Sequence, residues 1–109
     1  GVITNVSRWV SKGGAGFPQW IVIDFEGENK IHEFRFYGDT YNQITDFKLQ
    51  KEVNGEWIDI FSESGNSSYT YIRSFEETMA SKVRFYITKT TKDDIVRLRE
   101  LEIMAKAYE

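Results

Sequence analysis

The 109-residue sequence has no cysteine, which excludes disulfides, thiol nucleophiles and thiolate metal sites. It has one histidine, His32. A single imidazole without a grouped nucleophile or acid provides neither a catalytic triad nor a histidine-based metal set. His32 falls within a strand-like stretch and reads as a packed or surface side chain. No apolar run reaches the roughly 18 residues of a membrane helix. An excess of positive charge is also missing: 14 Lys and Arg stand against 17 Asp and Glu, for a net charge of −3. The two signs are interspersed, which disfavours nucleic acid as a partner. The acidic pairs Glu76-Glu77 and Asp93-Asp94 are neighbours in sequence. Neighbours on a strand point to opposite faces, so neither pair makes an acid/base couple. Gly13-Gly14-Ala15-Gly16 lacks the Lys-Ser/Thr that follows the glycines of a phosphate-binding loop. No enzyme class finds its set of groups here. No signal peptide is visible, and the abrupt start at Gly1 suggests an excised module.

Aromatic residues, by contrast, make up 16% of the chain. Rings supply large buried area and also populate binding surfaces. The length fits one domain, residues 1–109, with one core. Short segments of period-two alternation recur: Ile21–Phe25, Ile31–Tyr37, Thr45–Val53, Trp57–Phe61, Tyr69–Phe75, Lys82–Thr88 and Leu98–Ala105. Such alternation marks strands with one buried and one wet face. Within them His32, Phe34 and Phe36 are expected on one face. Phe47, Leu49, Lys51 and Val53 are expected on one face, opposite Lys48 and Gln50. Asn54-Gly55 between two such runs signals a tight hairpin, because both residues tolerate positive φ. Glu26–Asn29, Ser62–Ser68 and Thr88–Asp94 read as loops, and Glu76–Ser81 as one helical turn. The expected fold is all-β, an antiparallel β-sandwich or jelly roll. Trp57 is expected in the core, Trp9 and Trp20 in the core or at its rim, and Arg73 on a wet face. Phe17, beside the Gly-rich loop, is expected outside.

Read in order, the segments RW-V-S at 8–11, PQWIVIDF at 18–25, ITDFKLQ at 44–50, NGEWIDI at 54–60, SF-EETMASKVRFYIT at 74–88 and LRELEI at 98–103 resemble the discoidin or coagulation-factor type C fold. Within that galactose-binding-like group they are similar to family 32 carbohydrate-binding modules of bacterial glycoside hydrolases. The family usually has a further N-terminal strand and an Asp-Gly before the first Trp, so the chain looks truncated at its start.

The resemblance implies a non-catalytic, extracellular bacterial module. It would bind glycans weakly through loops at one end of the sandwich, as a monomeric unit beside covalent neighbour domains. Galactose-binding relatives use a His directly after the Trp, an Arg at the end of the third matched strand and an Asn about five residues later. Here Val10 holds the His place and Tyr37 lies in or near the Arg place, and only Asn42 matches. The carbohydrate-binding candidates are Tyr41, Asn42, Asp39, Tyr37, Trp9 and Phe17, with Tyr41 the leading stacking ring. A ring covers the apolar face of a pyranose while polar side chains grip its hydroxyls. Many relatives hold a structural calcium near both termini. The resemblance assigns Glu100 and Ser7 to that site, the turn's Asp being absent, and calcium takes six to eight oxygens. The alternative is a structural or protein-interaction domain that kept the fold and lost the sugar site. Lipid binding through Phe17 is disfavoured by the negative charge, which anionic membranes repel.

Overall fold

The computed structural model describes residues 2–11, 13–14 and 16–106. They form six strands: β1 (Val2–Val10), β2 (Gln19–Tyr37), β3 (Ile44–Val53), β4 (Glu56–Glu63), β5 (Thr70–Thr90) and β6 (Arg97–Ala105). No helix forms among the described residues. The hydrogen-bonded order is β1-β6-β2-β5-β3-β4, with every pair antiparallel.

Two long strands turn this order into two layers. The first half of β2, Gln19–Asp24, pairs with Lys82–Ile87 of β5. Its second half, Asn29–Tyr37, pairs with the first half of β5, Thr70–Ala80, and from Ile31 onward with β6 as well. The second half of β5 then pairs with β3, and β3 with β4. One layer therefore holds β1, β6, the second half of β2 and the first half of β5. The other holds the first half of β2, the second half of β5, β3 and β4.

The corner of β2 lies where the ladder jumps from Asp24 to Asn29. Glu26 and Gly27 adopt φ 59 and φ 150 there, and the Glu26 amide donates to Asp24 Oδ1 at 2.8 Å. Gly27 suits the bend because it lacks the Cβ that penalises positive φ. The expected loop at Glu26–Asn29 is thus the corner of a continuous strand. The expected helical turn at Glu76–Ser81 is likewise strand, within β5, where its residues carry the ladder from one layer to the other. β1 itself was not among the expected strands.

The space between the layers is filled with rings. Phe34, Phe36 and Tyr71 come from the first layer and Phe47, Phe61 and Phe85 from the second. They meet across it: Phe34–Phe85 at 5.0 Å between centroids, Phe36–Phe47 at 5.3 Å and Phe47–Tyr71 at 4.9 Å, all edge-on. Edge-to-face contacts set the positive ring edge against the negative face.

Four expected placements need correction. A register shift between Ile31 and Glu33 puts Ile31 in the core beside Phe34 and Phe36, and leaves His32 only half-buried. A second shift, between Leu49 and Gln50, buries Gln50 while Lys51 and Val53 are only half-buried. Bulges of this kind place two residues of one strand opposite one of its partner and so break strict alternation. Trp57 lies outside the core, half-buried, with the Arg84 guanidinium 4.6 Å from its ring. Arg73, expected on a wet face, caps the core instead, 4.5 Å from the Phe61 ring centroid.

The pairing fixes which loops meet. Val10 pairs with Arg97, Gln19 with Ile87, Tyr37 with Thr70 and Ile44 with Thr90. The described residues of segments 11–18, 38–43, 64–69 and 91–96 therefore gather at one end. The Asn54-Gly55 hairpin lies at the other, with both central residues at positive φ (52 and 84) as the sequence led one to expect. Val2 of β1 pairs with Met104 of β6 at that far end too.

Candidate functional site

At the loop end, segment 91–96 serves as the anchor. Asn42, on segment 38–43, is 1% exposed, and its side chain is fully engaged. Nδ2 donates to Asp93 Oδ1 at 2.7 Å, to the Ile95 carbonyl at 2.9 Å and to the Asp93 carbonyl at 3.1 Å. Oδ1 accepts from the Lys92 amide at 2.8 Å. Asn42 thus ties two loops together and turns no free polar atom outward. The neighbouring Asp39 shapes the same loop, because its Oδ1 accepts from the Tyr41 amide at 2.6 Å. This is the local side-chain-to-backbone bond that favours Asp in turns.

Segment 11–18 is held from the other side. The Asp94 carboxylate accepts from the Gly14 amide at 3.1 Å and the Gly16 amide at 2.8 Å. The Gly14 bond, followed by that of Gly16, holds the Asp94 carboxyl below its ordinary value of 3.8. Gln19 adds bonds from Nε2 to the carbonyls of Asp94 and Gly16. A depressed acid stabilises the fold fully above its unfolded value, and that share is lost as pH falls through the folded value. Asp94→Asn is therefore expected to lower the melting temperature at pH 7, and its deficit against the parent should shrink as pH falls below about 4. Thermal scans from neutral to acid pH check this. A deficit that stays constant with pH would show that the charge on Asp94 is immaterial.

Beside these loops, against the ends of β1 and β6, lies a hollow of about 260 Å³ lined by Arg8, Val10, Asp39, Arg97, Leu98 and Arg99. Tyr41 stands at its rim, 57% exposed. Lys92 Nζ lies 4.3 Å from the Tyr41 ring centroid and Arg97 Cζ 5.7 Å from it. Arg97 also pairs with Asp93 at 3.4 Å, so one guanidinium links the ring, the anchor loop and the hollow. The structure brings Asp39 and Tyr41 together here, with Asn42 behind them as the brace. Trp9 lies one residue from the hollow, half-buried against the core. Phe17 is 36% exposed on segment 11–18. Tyr37 ends β2 and pairs with Glu100 rather than facing the hollow.

Glu100 and Ser7, the calcium candidates, are directly paired across β1 and β6. Glu100 Oε1 accepts from Asn5 Nδ2 at 2.7 Å, and Ser7 Oγ donates to Asn5 Oδ1 at 3.3 Å. No third acidic or histidine side chain joins them among the described residues. Two side-chain ligands fall short of the six to eight oxygens that calcium takes, so these residues do not by themselves fit the ion.

Sequence reasoning missed the arginines. Arg8, Arg97 and Arg99 carried no functional reading in the sequence, and only the β1–β6 register puts them around one hollow.

A sandwich whose two long strands cross between layers, with four loops at one end, narrows the families to be considered. The chain belongs to the F5/8 type C domain family, which it matches over residues 2–101. Among solved structures, this F5/8 type C domain is similar to a family 32 carbohydrate-binding module from Clostridium perfringens, solved with GalNAc-β-1,3-galactose. The two share 21% identity over 90% of this chain and 75% of that one, with a TM-score of 0.78. It is also similar to chitosan-binding module 2 of a Paenibacillus chitosanase/glucanase, solved with chitotriose, at 24% identity over 92% and 77% of the two chains and a TM-score of 0.73. Against a whole family 89 glycoside hydrolase of Clostridium perfringens the match covers 91% of this chain and 11% of the enzyme, at 17% identity and a TM-score of 0.71. Among curated proteins none matches.

Proposed function

We propose that this domain is a non-catalytic carbohydrate-binding module of an extracellular bacterial glycosidase, and that it holds its glycan at the loop end. The observation that carries this reading is Tyr41, an exposed ring on a braced loop, whose neighbour Arg97 lines a mostly apolar hollow. A pyranose has the same two-sided character, with C–H groups on one face and hydroxyls around the edge. Val10 and Leu98 suit the former and Asp39 and Arg97 the latter. The solved relatives with GalNAc-β-1,3-galactose and chitotriose support a saccharide as ligand.

A shallow site of this kind binds on the order of 10 µM to 1 mM, about −4 to −7 kcal/mol. Tethering to an enzyme offsets the weakness by raising the local concentration of sites. Calorimetric titration against a panel of oligosaccharides should find a binder, and Tyr41→Ala should weaken it about tenfold or more, as loss of a central aromatic anchor does. The absence of any saccharide binding, or an affinity untouched by Tyr41→Ala, would sink this reading.

A second reading rests on the outer face of the β2–β5–β3–β4 layer. Trp20, 49% exposed, stacks on Tyr86 at 5.9 Å, and Arg84 reaches both rings and Trp57. Such a surface suits packing against a neighbouring domain and favours a structural role.

A further inference from the structure

We infer that the saccharide held at the loop end is acidic, carrying a carboxylate or sulfate that Arg8 and Arg99 grip; this rests on the reading of that end as a glycan site. The chain has six arginines. Four have partners: Arg35 with Glu33 at 2.6 Å, Arg73 with Glu63 at 3.8 Å, Arg84 with Gln50 at 2.8 Å and Arg97 with Asp93 at 3.4 Å. Arg8 and Arg99 have no hydrogen-bond or ion-pair partner among the described residues, and both are exposed. They also occupy matching positions. Ser7 pairs with Glu100 and Trp9 with Leu98, so Arg8 and Arg99 fall between the same two pairs of β1 and β6. Like charges directly opposite on adjacent strands repel.

Arg8 moreover holds φ 53, a left-handed conformation that a long side chain rarely adopts. Strain of this sort persists where the surroundings hold it and gathers at ligand clamps. Two exposed guanidinia with no partner, at neighbouring strand positions one of which is strained, would be a defect in a closed surface. Here they line the hollow that also holds Val10 and Leu98, and an oxyanion entering it would remove the repulsion. Guanidinium is the group best shaped for that task, since its planar fork meets a carboxylate or sulfate through two parallel N–H donors. The domain as a whole is acidic, at −3, so general basicity does not explain the cluster. Asp39, the acid at the rim, is left to accept from sugar hydroxyls.

The test is calorimetric titration of the whole domain with four probes: trigalacturonate, a sulfated galacto-oligosaccharide, and the neutral GalNAc-β-1,3-galactose and chitotriose. Titrations run at about 0.05 M and about 0.3 M salt, since screening grows steeply over that range. At least one acidic probe should bind about tenfold or more tighter than the neutral sugars, and higher salt should erode that margin. Arg8→Gln and Arg99→Gln should each cost about tenfold toward the acidic probe, as charge-assisted bonds do, and less toward the neutral sugars, so that the margin between the two classes closes. The salt series on the parent chain reads out the same claim without any variant. Whichever acidic probe wins names the oxyanion. Equal binding of acidic and neutral sugars, unmoved by salt, overturns the inference and leaves the module reading intact. Failure of every saccharide overturns both. Sedimentation with phosphatidylserine vesicles in the absence of saccharide binding would reassign the two arginines to a membrane.

Discussion

Replacing Phe36 with alanine is expected to lower the unfolding free energy by about 3–5 kcal/mol, the range for deleting a buried phenyl group. Phe36 is fully buried and touches rings of both layers. It stacks on Tyr71 at 5.2 Å within its own layer, and meets Phe47 and Phe85 at 5.3 Å across the gap. Its removal leaves a void that neighbours fixed on six hydrogen-bonded strands cannot readily fill. Close-packed interiors relax only in part. Domains of this size hold about 5–15 kcal/mol in total, so the variant should be marginal. Urea titration followed by tryptophan fluorescence measures the loss, and Phe36→Leu should recover much of it. A loss below about 1 kcal/mol for alanine would mean that the two layers do not interlock through these rings.

Asn42→Ala is the second large effect, and it joins stability to binding. The change leaves the Ile95 carbonyl with only the 3.4 Å bond from Arg97 and strands the Lys92 amide, which relies on Asn42. Each unsatisfied buried group costs about 1–3 kcal/mol, so a loss of about 2–4 kcal/mol is expected. Asn42→Asp should do no better at neutral pH. It keeps the size but removes the donor pair and sets a second carboxylate against Asp93. Because Tyr41 is the adjacent residue, freeing this loop should also weaken saccharide binding even though Asn42 shows no outward polar atom. Thermal melts and titrations on the same preparations check both halves. An unchanged melting temperature would remove Asn42 from the framework and return it to the direct ligand contacts.

That double role was invisible in the sequence. An amide directly after a loop tyrosine reads as a group waiting for a sugar hydroxyl, and nothing local says that segment 91–96 will close over it. The central strands were legible because Phe34-Arg35-Phe36, Phe47-Lys48-Leu49 and Val83-Arg84-Phe85-Tyr86-Ile87 alternate cleanly. β1 was not, since the exposed pair Ser7-Arg8 interrupts its pattern at a residue with positive φ. The corners of β2 and β5 were misread for a related reason. Glu26–Asn29 and most of Glu76–Ser81 are polar because they turn at the margin of the sandwich, only Ala80 reaching the core, and polarity alone does not separate a bend within a strand from a loop or a helical turn. Trp57 was sent to the core by its size, whereas a cation lying on its face lets it stay at the surface. Tyr41 and Phe17 were placed outside correctly, as ring-bearing loop residues beside turn formers. The arginine pair needed a register, and a register of strands 90 residues apart is a tertiary fact.

The pairing of Val2 with Met104 has a mechanical consequence. Val2 and Met104 both lie on the side away from Tyr41, so a load applied there leaves the ring unobstructed. Tension drawn through those two points would load the β1–β6 ladder one hydrogen bond at a time, as a zipper opens, rather than shearing all its bonds together. Under pull the first strand would peel off at low force, and its departure would carry Arg8 and Val10 away from the hollow.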